Sequence, residues 1–158
     1  MSVNQFNLAN GQRAERKLLI TVAAWMEGEG TSATEVREIL GTRTPDSSIE
    51  YNPEIETSTD VRGITYTDVN KTEPQQDFDP YLILGGSKLG ALLNDIRSRN
   101  AISELNQFKI YVITAFIGSE QNGFAAELHE NCTILYNSLG GESNVNFPIS
   151  VHLSNYAA

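Results

Sequence analysis

The residues best suited to chemistry are His129, His152 and Cys132. His129 and Cys132 stand three apart in HENC, the pairing a cysteine nucleophile would need with a histidine base. On a regular strand, however, residues three apart point to opposite faces, which would separate the thiol from its base. The same spacing does not make a zinc site, because there is no second cysteine and no histidine pair at helical spacing. His152 falls on the polar side of an alternating run, as a solvated or interface histidine would. GGSKLG (85–90) resembles a phosphate-cradling loop, but it lacks the G-x-x-x-x-G-K-[ST] order and reads better as a capped turn into a helix. Asp77 and Asp79 in DFDP lack the ligand ladder of a calcium loop. The sequence therefore predicts no catalytic set, metal or cofactor.

Around these residues lies a chain of 158 residues, long enough for one domain with a real core. Eleven basic against twenty acidic residues give a net charge of −9, the wrong sign for gripping nucleic acid. Most of the excess sits in residues 45–80, where nine acids face only Arg62 and Lys71. Such a run reads as a solvated or disordered face, or as a surface that repels something anionic. The lone Cys132 allows no disulfide within the chain and reads as a small buried apolar residue. No secretion signal and no membrane-length apolar run is evident.

The clearest element is a helix over Ser87 to Asn100. Leu89, Leu92, Leu93 and Ile96 recur at helical spacing and form its core-docking stripe. Ser87 can cap the start, Arg97 and Arg99 suit the negative end of the dipole, and Asn100 can adopt the left-handed conformation that stops it. What flanks it reads as strand. Residues 1–16 form a polar arm, and 17–158 a single β domain. Lys17 to Met26 and Gln107 to Ile117 are apolar on both faces, more than one small core needs, which predicts contact with another subunit. Thr34 to Leu40 fits either a short strand or a helical turn. Residues 42–50 and 71–80 read as loops, and 49–69 as extended chain. Tyr81 to Leu84, Ala125 to Asn137 and Val145 to Leu153 complete six or seven strands, with Pro148 marking an edge or an unpaired position. The fold class expected is mainly β, a sandwich or barrel with one flanking α-helix.

The order of these elements resembles the tail tube proteins of tailed bacteriophages, related to the tubes of contractile injection systems. The likeness runs from about residue 17 to 155. It lies in DPYLILGG leading into a helix that ends LLNDIRSRN, in the hairpin QFKIYVITAFIG with AAELHENCTILYNSLGG, and in the closing VNFPISVHLSNY. It implies a structural virion protein that forms hexameric rings stacked into a tube and meets a tape-measure protein, tail-end proteins and, in contractile tails, a sheath. Double-stranded DNA would pass through without specific binding, and assembly would take place in the bacterial cytoplasm without a membrane. A tube of a phage-tail-like bacteriocin is implied equally well. The arm and an elongated early loop, nearest to 40–60 or 70–80 by position, would touch the adjacent ring.

Two readings from other classes compete. A β-sandwich ligand-binding module would cluster aromatics on one sheet face, and the single Trp25 with six tyrosines shows no such cluster. A small enzyme would need the polar constellation that is missing. Glu54, Glu56, Asp60 and Asp68 are the candidate lumen-facing acids: all are even-numbered, so an unbroken strand puts them on one face. Ile64 and Tyr66 share that parity, so a bend near Gly63 must intervene if the acids face a wet channel.

Overall fold

The computed structural model describes residues 6–28, 30–154 and 156–157, the last two by backbone alone. Ten strands and one α-helix are present among the described residues: β1 (Leu19–Glu27), β2 (Thr34–Ile39), β3 (Ile49–Glu50), β4 (Glu54–Thr59), β5 (Thr65–Lys71), β6 (Gln75–Phe78), α1 (Lys88–Arg99), β7 (Phe108–Ser119), β8 (Gly123–Tyr136), β9 (Ile149–His152) and β10 (Tyr156–Ala157). The fold is mainly β with a single helix. Eight strands form one antiparallel sheet in the order β2-β1-β7-β8-β9-β6-β3, with β10 beside β8. β4 and β5 pair only with each other.

The large sheet is rolled. Thr21 Oγ1 on β1 donates 2.8 Å to Gln76 Oε1 on β6, a buried bond between strands that are four places apart in the sheet. Inside the roll lie Ala23, Trp25, Phe78, Phe108, Ile110, Phe147, Ile149 and Val151. The helix closes it, burying Leu89, Leu93 and Ile96 completely or nearly so, with Leu92 half-buried against the same cluster. Ser87 Oγ accepts from Gly90 N at 3.1 Å, and Asn100, at φ 54°, ends the helix in the left-handed region. The periodicity and the caps thus act together: the stripe faces inward because the ends fix where the helix starts and stops.

Several expectations change. Thr34 to Ile39 is a strand, paired to β1 through six residues. Residues 71–80 are not all loop, because QQDF forms β6 between Pro74 and Pro80 and inserts between β9 and β3. Tyr81 to Leu84 is not a strand; it touches its neighbour through one bridge, Leu82 to Asn146. The last long strand is shorter than its alternation, Ile149–His152, because Pro148 has no N–H and its carbonyl accepts from Asn137 N instead. At its described end the polar arm is bonded to β7: Asn7 N donates to Phe116 O, and Asn7 Nδ2 to Ala115 O and Gly118 O.

Candidate assembly surfaces

The residues flagged for chemistry are spent on structure. Asn131 takes φ 56° and puts a bulge in β8, so that Phe108 and Ile110 of β7 face Cys132 and His129. The bulge turns both to the inner side, correcting the expectation that spacing by three separates them. Cys132 Sγ lies 3.3 Å from the His129 carbonyl, and burial pushes the thiol pKa up, opposite to an activated nucleophile. His129 Nδ1 meets Ser154 O at 3.2 Å and Nε2 meets the Glu127 carboxylate at 3.4 Å, tying down the segment after β9. His152, on β9, pairs through its backbone with β6 and β8. Asp77 accepts from Gln75 and Asp79 from Asn146. Among the described residues no group of three or more His, Cys, Asp or Glu is placed to hold a metal.

The GGSKLG turn already has its anion. Glu38 on β2 reaches across to the helix start: Oε1 accepts from Lys88 N at 3.0 Å, and Oε2 from Leu89 N at 3.2 Å and Ser87 Oγ at 3.2 Å. Tyr81 OH donates to the same carboxylate at 3.4 Å, and burial pushes the phenol up to about 12. This carboxylate sits where a phosphate would. Nothing near residue 88 in the sequence signals it, because the partner comes from fifty residues earlier.

Two surfaces have no partner among the described residues. The first is the outer face of β2-β1-β7-β8, opposite the core. Its middle carries Glu35, Arg37, Lys109 and Glu130 as ion pairs, with the Arg37 guanidinium 5.0 Å from the Tyr111 ring centre. Arg37 beside Glu35 holds that carboxyl below its usual range. Around them Ile20, Ile113, Ala115, Ile117 and Leu128 stay half-exposed and Ile39 exposed. The two-sided pattern of β1 and β7 is therefore real, and among the described residues neither the helix nor the β4–β5 pair covers its outer side.

The second is the β4–β5 hairpin, where all four candidate acids lie. It corrects the single unbroken strand: Asp60 to Ile64 turn, with Gly63 at φ 78°, and the chain returns. Glu56 lies directly opposite Asp68, and Glu54 is 3.5 Å from Lys71 Nζ beyond a register shift. Asp60 is used in the turn. Its carboxylate accepts from Arg62 N, Ile64 N and Tyr66 OH, and these bonds, that from Ile64 first, lower its pKa. The opposite face pairs Ile55 with Val69, Thr57 with Thr67 and Thr59 with Thr65, six β-branched residues without a charge. Every strand residue of this hairpin is exposed. The hairpin runs from 54 to 71 and so overlaps the end of 40–60 and the start of 70–80.

No protein-family model and no curated protein matches the sequence. Among solved structures, a chain of the six-fold symmetrised cryo-EM structure of the anti-feeding prophage (AFP) baseplate is similar at a TM-score of 0.43 and 10% identity, covering 87% of this chain and 90% of that one.

Proposed function

We propose that this protein is a non-enzymatic structural subunit of a phage-tail-like tube, which assembles with copies of itself into closed rings that stack around a DNA conduit. The observation that carries the reading is the hairpin Glu54–Lys71, an exposed element with six uncharged β-branched residues on one face and, among the described residues, no pairing to the sheet of the body. A two-stranded ribbon is at best marginally stable in water by itself, so its bare face calls for a partner. The outer face of β1 and β7, half-exposed at Ile20, Ile113, Ala115 and Ile117 among the described residues, adds a lateral surface suited to neighbours in a ring. The negative charge agrees with a wall along which a phosphate backbone slides without sticking. In this reading Glu54, Glu56, Asp60 and Asp68 are lumen-facing, with Asp60 also bracing its turn, and tape-measure and tail-end proteins meet the tube at its interior and ends. Negative-stain imaging of the purified protein at high concentration tests the proposal. Rings or tubes are expected; monodisperse monomers at every concentration sink it. The lumen is tested separately: Glu54→Lys, Glu56→Lys and Asp68→Lys together should leave tubes intact and slow DNA ejection, most at low salt.

A further inference from the structure

Residues 16–21, residues 39–47 and β6 meet around a cavity of about 230 Å3 whose donors outnumber its acceptors. Arg16 lies exposed at its rim. Its Nη1 donates 2.7 Å to Leu19 O and its Nη2 2.8 Å to Ser47 O, with N–H groups to spare. Among the described residues no carboxylate pairs with this guanidinium, although acids outnumber bases twenty to eleven. Lys17 beside it is taken by Glu15 at 3.1 Å. On the inner side Gln76 is 1% exposed. Its Oε1 accepts from Thr21 Oγ1 at 2.8 Å, and its Nε2 is buried with no acceptor among the described residues. A buried donor left without an acceptor is costly, so this amide calls for an oxygen. Leu19, Leu40 and Phe78 add an apolar wall. The loop that frames the cavity is pinned, because Thr44 Oγ1 donates 2.7 Å to Pro80 O and Ser47 Oγ 2.6 Å to Asp77 O.

We infer that this cavity binds a short aliphatic monocarboxylate, its head taken by Arg16 and the Gln76 amide and its tail by the apolar wall. Charge sets the class. One uncompensated guanidinium balances one negative charge, and a guanidinium is the natural partner of a carboxylate. Phosphate, at nearly two charges, would need a second cation, and Lys17 is already paired in a chain at −9. Volume sets the size. At ~30 Å3 per water the cavity holds roughly seven or eight waters' worth of ligand, which suits an acid of about four carbons. The lining covers Gln76 Nε2, so the carboxamide turns toward the cavity as the ligand oxygen arrives and exchanges a missing partner for a charged one. The bound acid would tie the start of β1, the loop 41–47 and β6 together. None of this depends on whether the chain assembles into tubes.

The test titrates the full chain with butyrate and follows saturation transfer from protein to the butyrate methyl group, which reads monomer and assembly alike. Transfer should saturate, with half-saturation at about 1–10 mM at low salt. Butyramide, which keeps the shape and loses the charge, should bind at least about tenfold more weakly. Inorganic phosphate should displace butyrate no better than chloride at equal ionic strength. Arg16 is exposed, so Arg16→Gln keeps the fold, and it should weaken butyrate about tenfold, with partial recovery in Arg16→Lys. Gln76→Glu sets a carboxylate in the place of the ligand's and should abolish transfer, with circular dichroism checking that the variant folds; if it does not, the Arg16 pair carries the test. No saturable transfer would mean that water alone meets these donors, and overturns the site. Butyramide equal to butyrate, Arg16→Gln equal to wild type, undiminished transfer in folded Gln76→Glu, or displacement by phosphate would each overturn it too. Rings or tubes in the microscope without butyrate binding would leave the tube reading standing, and butyrate binding by a strict monomer would do the reverse.

Discussion

The helix α1 and the hairpin β4–β5 each carry an apolar face, yet the two faces meet opposite environments. The helix puts Leu89, Leu93 and Ile96 into a sealed core, held by Ser87 and Asn100 at its ends and by Glu38 from β2. The hairpin puts Ile55, Val69 and four threonines into water, held by its own ladder and by the Asp60 turn. The first arrangement makes the subunit fold. The second gains the subunit nothing by itself, and its apolar face becomes useful only against something outside. Under the proposed function, stability and assembly are thus carried by separate elements, and substitutions should separate them.

The largest effect belongs to the helix. Leu93→Ala removes methyl groups from a fully enclosed site and should cost ~2–5 kcal/mol, since the rolled sheet cannot collapse into the space. A thermal melt followed by circular dichroism should show a drop of roughly 2–4 °C per kcal/mol; an unchanged midpoint would mean that the core tolerates the cavity. Next comes Glu38→Ala, which strips the helix start of its carboxylate and should cost about 1–2 kcal/mol. Glu38→Gln should lose less, because it still presents one acceptor oxygen. If Glu38→Ala melts like the wild type, the carboxylate is not anchoring β2 to α1.

The helix was legible because its signals are local: a 3–4 spacing, a serine before it and an asparagine after it. The mainly-β class was legible for the same reason, from the alternation in β1, β7 and β8. What escaped depends on distance or on a single backbone angle. β6 is four residues between two prolines, and the alternation of Gln76 and Phe78 with Gln75 and Asp77 is too short to outweigh them. The shared face of His129 and Cys132 follows from Asn131 at φ 56°, one residue that shifts the parity of everything after it. The hairpin was half-visible, since Gly63 marked a bend, but parity along one strand cannot reveal a chain that reverses. The Glu38 cap needed the fold itself.

On the hairpin the order of effects inverts. Ile55→Ser with Val69→Ser removes the one large apolar cross-strand pair from an exposed face, and the melting free energy of the isolated subunit should change by no more than about 0.5 kcal/mol. Assembly should suffer much more. Sedimentation and negative stain on the same preparation decide it: rings or tubes that form as well as in the wild type would show that the bare face has no partner, and would blur the division between the two elements.

The smallest effect is the pH response of the hairpin turn. Asp60 is lowered in pKa by the donors it accepts, first Ile64 N–H, then Arg62 N–H and the Tyr66 hydroxyl. A carboxylate depressed in the folded state stabilises the turn above its unfolded value, and that contribution is lost as pH falls through the folded value. The turn should therefore stay ordered at neutral pH and loosen only below the ordinary aspartate range, while the core is unaffected there by this group. Amide exchange at Arg62 and Ile64 reports it directly, because both N–H groups point at the titrating oxygen. Asp60→Asn should raise exchange at both amides at neutral pH and flatten its acid dependence, and Tyr66→Phe should do so to a smaller degree. Exchange at these two amides that is the same in wild type and Asp60→Asn at every pH would mean that the strands hold the turn without the carboxylate. The carboxylate would then add nothing to the order of the turn.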